Sequence, residues 1–212
     1  MQVFLPRWSP DGTQIAFAAT TPGKPQKICL IPAEGGEPEQ VTKGDYNEGD
    51  VGWSADGNQL VSGFTGPFPA KGVAIHLLDL RMHQESLLPG SEGLFSPRWS
   101  PDGRYVAALP LNGESLRLYE FATQKWVELA KLPMGYPSWS RDSQYIYFDT
   151  LGSDAAFYRV HVSDRKLERL VSLKNVRRSG TYQWTGLTPD GSPLLLRDVG
   201  TEEIYALDWQ AP

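Results

Sequence analysis

One cysteine, three histidines and no long apolar run leave several kinds of chemistry without their materials. Cys29, set between Ile28 and Leu30, cannot form an internal disulfide and reads as a small hydrophobe in a strand. His76, His83 and His161 fall into neither an H-x-x-x-H nor an H-E-x-x-H spacing, so no metal site is expected. No apolar stretch approaches the roughly 20 residues of a membrane-spanning helix, and residues 1–4 lack the basic-then-apolar opening of a signal peptide. Basic residues cluster no further than Arg177 and Arg178 in a chain of net charge -5, which argues against contact with a phosphate backbone. A G-x-S-x-G nucleophile elbow is missing, and so is a Gly-rich phosphate loop opening a helix. Neither a cofactor nor a catalytic centre is therefore expected.

Turn formers and aromatics are plentiful instead: 21 Gly, 17 Pro, 7 Trp and 9 Tyr among 212 residues favour short strands joined by tight turns. They are organised by a repeat. Trp8-Ser9-Pro10-Asp11-Gly12 returns as Trp53-Ser54-Ala55-Asp56-Gly57 and as Trp99-Ser100-Pro101-Asp102-Gly103. It recurs in altered form as Trp139-Ser140-Arg141-Asp142-Ser143 and Leu187-Thr188-Pro189-Asp190-Gly191. The spacings of 45, 46, 40 and 48 residues suit a four-stranded propeller blade. The anchor aspartates occupy a fixed place in a turn, which explains them without a bound cation.

Each unit continues alike. The anchor follows a short strand, and a second strand comes after the turn, as at residues 14–18 and 145–148. A third follows a polar loop, at 28–31, 74–78, 116–119 and 158–162, and a fourth closes the unit, at 39–42 and 168–171. The expected fold is an all-β propeller with blades at 1–44, 45–91, 92–132 and 133–175 and a partial blade at 176–212. That last unit has strands expected near 182–184, 193–196 and 204–207, and no fourth. This pattern fits part of a larger propeller, or alternatively a small ring with an imperfect seam. A sheet of this kind cannot bury both faces alone, so the repeated Trp is expected to wedge between adjacent blades.

The W-S-P-D-G anchors, each followed by an apolar strand and then an I-x-L strand, resemble the TolB-type propeller repeat through all five units. The ending at residues 200–209 resembles the tail of propeller modules in large bacterial signalling proteins, which can carry a DNA-binding or kinase domain upstream. The resemblance implies a sensory or docking role and, because TolB is periplasmic, an extracytoplasmic location. Prolyl-oligopeptidase relatives carry similar repeats ahead of a catalytic domain, so an accessory propeller of an enzyme, peptidase gate or propeller lyase, is the alternative.

In propellers of this family the loops entering the innermost strand share a face with those between the second and third strands. Three segments belong to that set. Residues 43–50 carry Asp45, Tyr46, Glu48 and Asp50; residues 65–72 hold Phe68 between two prolines; residues 175–182 carry Arg177, Arg178 and Tyr182. These eight residues are the candidate binding face for a protein or peptide partner, or for a small ligand.

Overall fold

The computed structural model describes residues 1–64, 73–178 and 185–201. These form four complete antiparallel sheets and a two-stranded hairpin, with no helix among the described residues. Blade 1 comprises β1 (Gln2–Trp8), β2 (Gln14–Thr20), β3 (Lys27–Pro32) and β4 (Glu39–Gln40). Blade 2 has β5 (Glu48–Trp53), β6 (Gln59–Phe64), β7 (His76–Asp79) and β8 (Gln84–Leu87). Blade 3 has β9 (Leu94–Trp99), β10 (Tyr105–Pro110), β11 (Leu116–Glu120) and β12 (Lys125–Ala130). Blade 4 has β13 (Gly135–Trp139), β14 (Tyr145–Asp149), β15 (Ala156–His161) and β16 (Leu167–Ser172). The hairpin pairs β17 (Thr185–Leu187) with β18 (Pro193–Leu195). Strands pair in chain order within every blade. The strands expected at 182–184 and 204–207 lie outside the described residues.

Alternation along each second strand divides its side chains between two inter-blade cores. On β6, Leu60 faces blade 1, joining Ala16, Ala18, Ile28 and Leu30, whereas Val61 faces blade 3, joining Val106, Ala108 and Tyr119. On β10, Ala107 and Leu109 turn the other way, towards Ile146 and Phe148 of blade 4. A strand buried on both faces reads as a continuous apolar run, which is why β2 and β10 lack polar positions midway, whereas β6 keeps one, the buried Ser62.

The anchor turn is built the same way five times. The Ser or Thr hydroxyl donates to the Asp carboxylate two residues on, at Ser9, Ser54, Ser100, Ser140 and Thr188. In the first four turns the Ser oxygen also accepts the N–H of the residue five positions later, at 2.9 Å each time. The Asp accepts a main-chain N–H across the turn as well. The last position takes φ from 70° to 84° at Gly12, Gly57, Gly103 and Gly191, where glycine avoids a Cβ penalty. Ser143 stands there in blade 4 at φ 59°; its hydroxyl accepts the Asp102 N–H at 3.1 Å, a link to the neighbouring blade that glycine could not make.

The anchor tryptophans tie blade to blade. Trp53 Nε1 donates to the Arg7 carbonyl at 3.0 Å and Trp139 Nε1 to the Arg98 carbonyl at 2.9 Å. Trp139 also stacks on Tyr105 of blade 3. Trp99 instead donates to Gly103 O of its own turn at 3.2 Å, while stacking on Phe121. Trp8 makes no such bond to another blade among the described residues and is 61% exposed. Trp139→Ala should therefore cost about 3–5 kcal/mol in a denaturant titration, and Trp8→Ala less than about 1 kcal/mol. Equal losses at the two sites would refute the wedge.

Hydrogen bonds from the anchor Ser or Thr are the largest cause holding Asp11, Asp56, Asp142 and Asp190 below the ordinary value of 3.8, with Asp56 at about 2. At Asp102 burial pushes upward but is outweighed by hydrogen bonds from Ser100 and Arg104. With folded-state values depressed, the unfolded chain binds protons first as pH falls. The stabilisation is whole above about pH 4 and declines towards pH 2. Urea midpoints measured across that window should fall steadily; a flat profile would mean the turns add nothing.

Candidate functional site

The inner strands of the four complete blades carry the same irregularity. The residue three before the anchor adopts left-handed backbone: Leu5 (φ 55°), Asp50 (φ 49°), Ser96 (φ 55°) and Tyr136 (φ 49°). The pairing register between the first and second strands slips at each of these points. Such a bulge re-aims side chains. Four equivalent bulges around a ring set four residues, and those just after them, to face the axis.

The axial residues make a charged cluster. Arg98 lies against the Asp50 carboxylate, Nη1 2.8 Å from Oδ1, and its Nη2 donates to Oδ2 at 3.1 Å. Ser96 Oγ donates to the same Oδ2 at 2.6 Å. Arg7 stands further off, 3.5 Å from Asp50 Oδ1, and donates to the Pro6 carbonyl at 3.2 Å. Burial first, and then the Arg98 charge, lower the Arg7 pKa; Asp50 offsets them in part. Three blades thus contribute two guanidinium groups and one carboxylate.

Beside this cluster lies an open cavity of about 450 Å³. Its lining comes from the ends of all five inner strands: Arg7 and Trp8, Gly52 and Trp53, Arg98 and Trp99, residues 136–139, and Thr185 with Gly186. The cavity therefore opens near the anchor turns. A groove of about 730 Å³ lies between blade 4 and the hairpin, where Leu187 replaces the anchor Trp. Two guanidinium groups line it, those of Arg141 and Arg159; Arg159 is engaged by Glu168 at 2.7 Å and sits over the Tyr145 ring.

The loop-face candidates are placed quite differently. Asp45 and Tyr46 are exposed on the connector from blade 1 to blade 2. That connector does meet the loop between the second and third strands of blade 1: Gln26 N–H donates to Asn47 Oδ1 at 2.8 Å. The Tyr46 hydroxyl donates to Glu85 and contacts His76 Nδ1 at 3.1 Å, both on blade 2. Burial and these acidic neighbours push its pKa well up. Glu48, expected at the rim, is instead 1% exposed at the start of β5, because Lys27 of β3 supplies its counter-charge at 2.9 Å. Lys27 Nζ also donates to Tyr46 O at 2.8 Å. Asp50 faces the axis.

Arg178, likewise expected at a basic rim, is buried with Nη2 donating to Asp149 Oδ2 at 2.8 Å. Asp149 also accepts from Thr185 at 2.7 Å, which ties blade 4 to the hairpin. Arg177 is exposed near Asp198 and donates to Gly200 O at 3.0 Å. Phe68 and Tyr182 lie outside the described residues. Arg7 and Arg98 escape a reading based on loops, although the sequence carries a signal for them: residues 6–12 and 97–103 are the same heptapeptide, P-R-W-S-P-D-G. No grouping of three or more His, Cys, Asp or Glu fit to hold a metal occurs among the described residues. No helix among them is long and apolar enough to cross a membrane.

Among solved structures the chain is similar to TolB from Acinetobacter baumannii, with TM-score 0.72 and 19% identity over 90% of this chain and 47% of that one. It is also similar to a prolyl endopeptidase structure, with TM-score 0.59 and 17% identity over 89% of this chain and 31% of the other. Among curated sequences, 56 residues are 36% identical to the uncharacterized peptidase YuxL of Bacillus subtilis, covering 26% of this chain and 8% of that protein. No family model matches. The chain thus spans less than half the length of each of these proteins.

The Lys27–Glu48 pair joins blades 1 and 2 behind the loop face. Lys27→Met leaves an uncompensated buried carboxylate and should cost about 3–5 kcal/mol, whereas adding Glu48→Leu should recover most of it. A double-mutant cycle by urea unfolding measures both; additive losses would mean the two charges are not coupled.

Proposed function

The chain has the TolB-like β-propeller fold, and we propose that it is a recognition module that binds a protein or peptide partner at the channel without turning it over. The observation carrying this reading is the axial cavity of about 450 Å³, with indole, proline and arginine side chains in its wall. Concave, largely apolar sites with a few convergent polar groups are the usual form of a ligand pocket. Ser138, Thr185 and the phenol of Tyr136 are the hydroxyls in that wall, and no histidine is among its described lining residues. In this reading the exposed Asp45 and Tyr46 extend the contact on the opposite face, and the propeller is the sensing or docking part of a larger bacterial regulatory protein.

A second reading, an accessory propeller of a peptidase, is favoured by the likenesses to YuxL and to the prolyl endopeptidase. A hydrolase domain encoded in the same reading frame would decide for it.

Incubation of the 212-residue chain with a mixed peptide pool, followed by mass spectrometry of bound and free fractions, tests the proposal. A subset should be retained with unchanged masses, and Ser138→Trp, which fills the cavity, should release it. Cleaved products, or retention indifferent to the plug, would overturn the reading.

A further inference from the structure

Two guanidinium groups against one carboxylate leave the channel wall with one positive charge in excess, in a protein whose net charge is -5. Arg98 is committed to Asp50 and Pro97 O. Arg7 is not: among the described residues it stays 3.5 Å from Asp50, reaches otherwise only the carbonyl of Pro6, and keeps a third of its side chain open. A guanidinium has five N–H donors in a rigid fork, so most of those on Arg7 are left for a ligand. Arg7 and Arg98 both line the axial cavity, between Trp8, Trp53 and Trp99.

We infer that this wall binds the carboxylate of an organic ligand, with Arg7 as the group that grips it and Arg98, held by Asp50, as the second charge. The inference rests on the recognition reading above and names its chemistry. One surplus charge matches a monoanion better than a phosphate dianion. A planar carboxylate matches the guanidinium fork in bidentate geometry. The indoles beside it offer apolar surface to the body of the ligand, which an inorganic ion would leave uncovered. Asp50 has two jobs: it orients Arg98, and it holds the surplus at one charge.

Four tryptophans in the wall with the arginines, Trp8, Trp53, Trp99 and Trp139, make intrinsic fluorescence a direct readout. The probes are acetyl-Phe-Gly with a free C-terminal carboxylate, the same dipeptide as its C-terminal amide, and acetyl-Phe-Glu amide, which carries the carboxylate on a side chain. Inorganic phosphate is the fourth. The two carboxylates should give saturable changes, and the amide should bind about tenfold or more weaker, as loss of a charge-assisted hydrogen bond requires. The ratio of the two acids tells a chain terminus from an acidic side chain. Arg7→Gln should weaken the acids by a similar factor and bring them level with the amide; Arg7→Lys should keep part of the preference. Arg7 makes no short ion pair, so an unchanged melting temperature is expected and certifies that Arg7→Gln is folded.

Acid and amide binding equally, Arg7→Gln retaining the preference, or phosphate outcompeting both acids would overturn the inference while leaving peptide recognition standing. No saturable change with any peptide probe, joined to no retention from the mixed pool, would overturn both.

Discussion

The seam between adjacent blades is the contact on which the rest depends. At two of the three seams between complete blades, an indole donates to a main-chain carbonyl of the blade before it, and that carbonyl belongs to the residue just ahead of the preceding anchor. At both this residue is an arginine whose side chain faces the axis, Arg7 and Arg98. The bond that holds the ring in register thus also fixes the backbone from which the channel chemistry projects. Burial of alternate residues of β2, β6, β10 and β14 in successive inter-blade cores supplies the adhesion, and the indole supplies the registration.

Around that contact the molecule uses two kinds of special backbone. The anchor turns place a residue at positive φ where glycine is favoured, and a Ser–Asp pair closes the turn. The inner-strand bulges place Leu5, Asp50, Ser96 and Tyr136 at positive φ without glycine. A non-glycine residue in that region costs of order 1 kcal/mol and persists where its surroundings over-determine it. At Asp50 the surroundings are evident: Ser96 and Arg98 of the next blade hold the carboxylate.

The fold was legible because its determinants are local and repeated. The anchor pentapeptide specifies its own turn through hydrogen bonds spanning five residues, so the period and blade order follow from the chain alone. Strand ends were less so: the third strand of blade 2 begins at His76 rather than residue 74, since Ala74 and Ile75 are buried in the connection leading into it. The candidate site was harder to see, because its signals are non-local. Glu48 reads as a solvated acid until Lys27, 21 residues away, is brought to 2.9 Å. Asp50 reads as a loop residue until Arg98, 48 residues away, is found against it. Arg178 looks like half of a basic pair, yet the fold gives it Asp149 and gives Arg177 a different neighbour.

Because Trp53 and Trp139 bond to the carbonyls of Arg7 and Arg98 and not to their side chains, registration itself does not specify the side chain ahead of the anchor. It is Arg in blade 1, Gly in blade 2, Arg in blade 3 and Ser in blade 4. Descendants of such a ring could exchange the side chains at residues 7 and 138 while the registering bonds stayed put; Gly52, where an added Cβ would lie 3.2 Å from Val61 Cγ2, and Arg98, which holds Asp50, are tied to the frame. The inner lining would then diverge from ligand to ligand at some blades and be inherited with the frame at others.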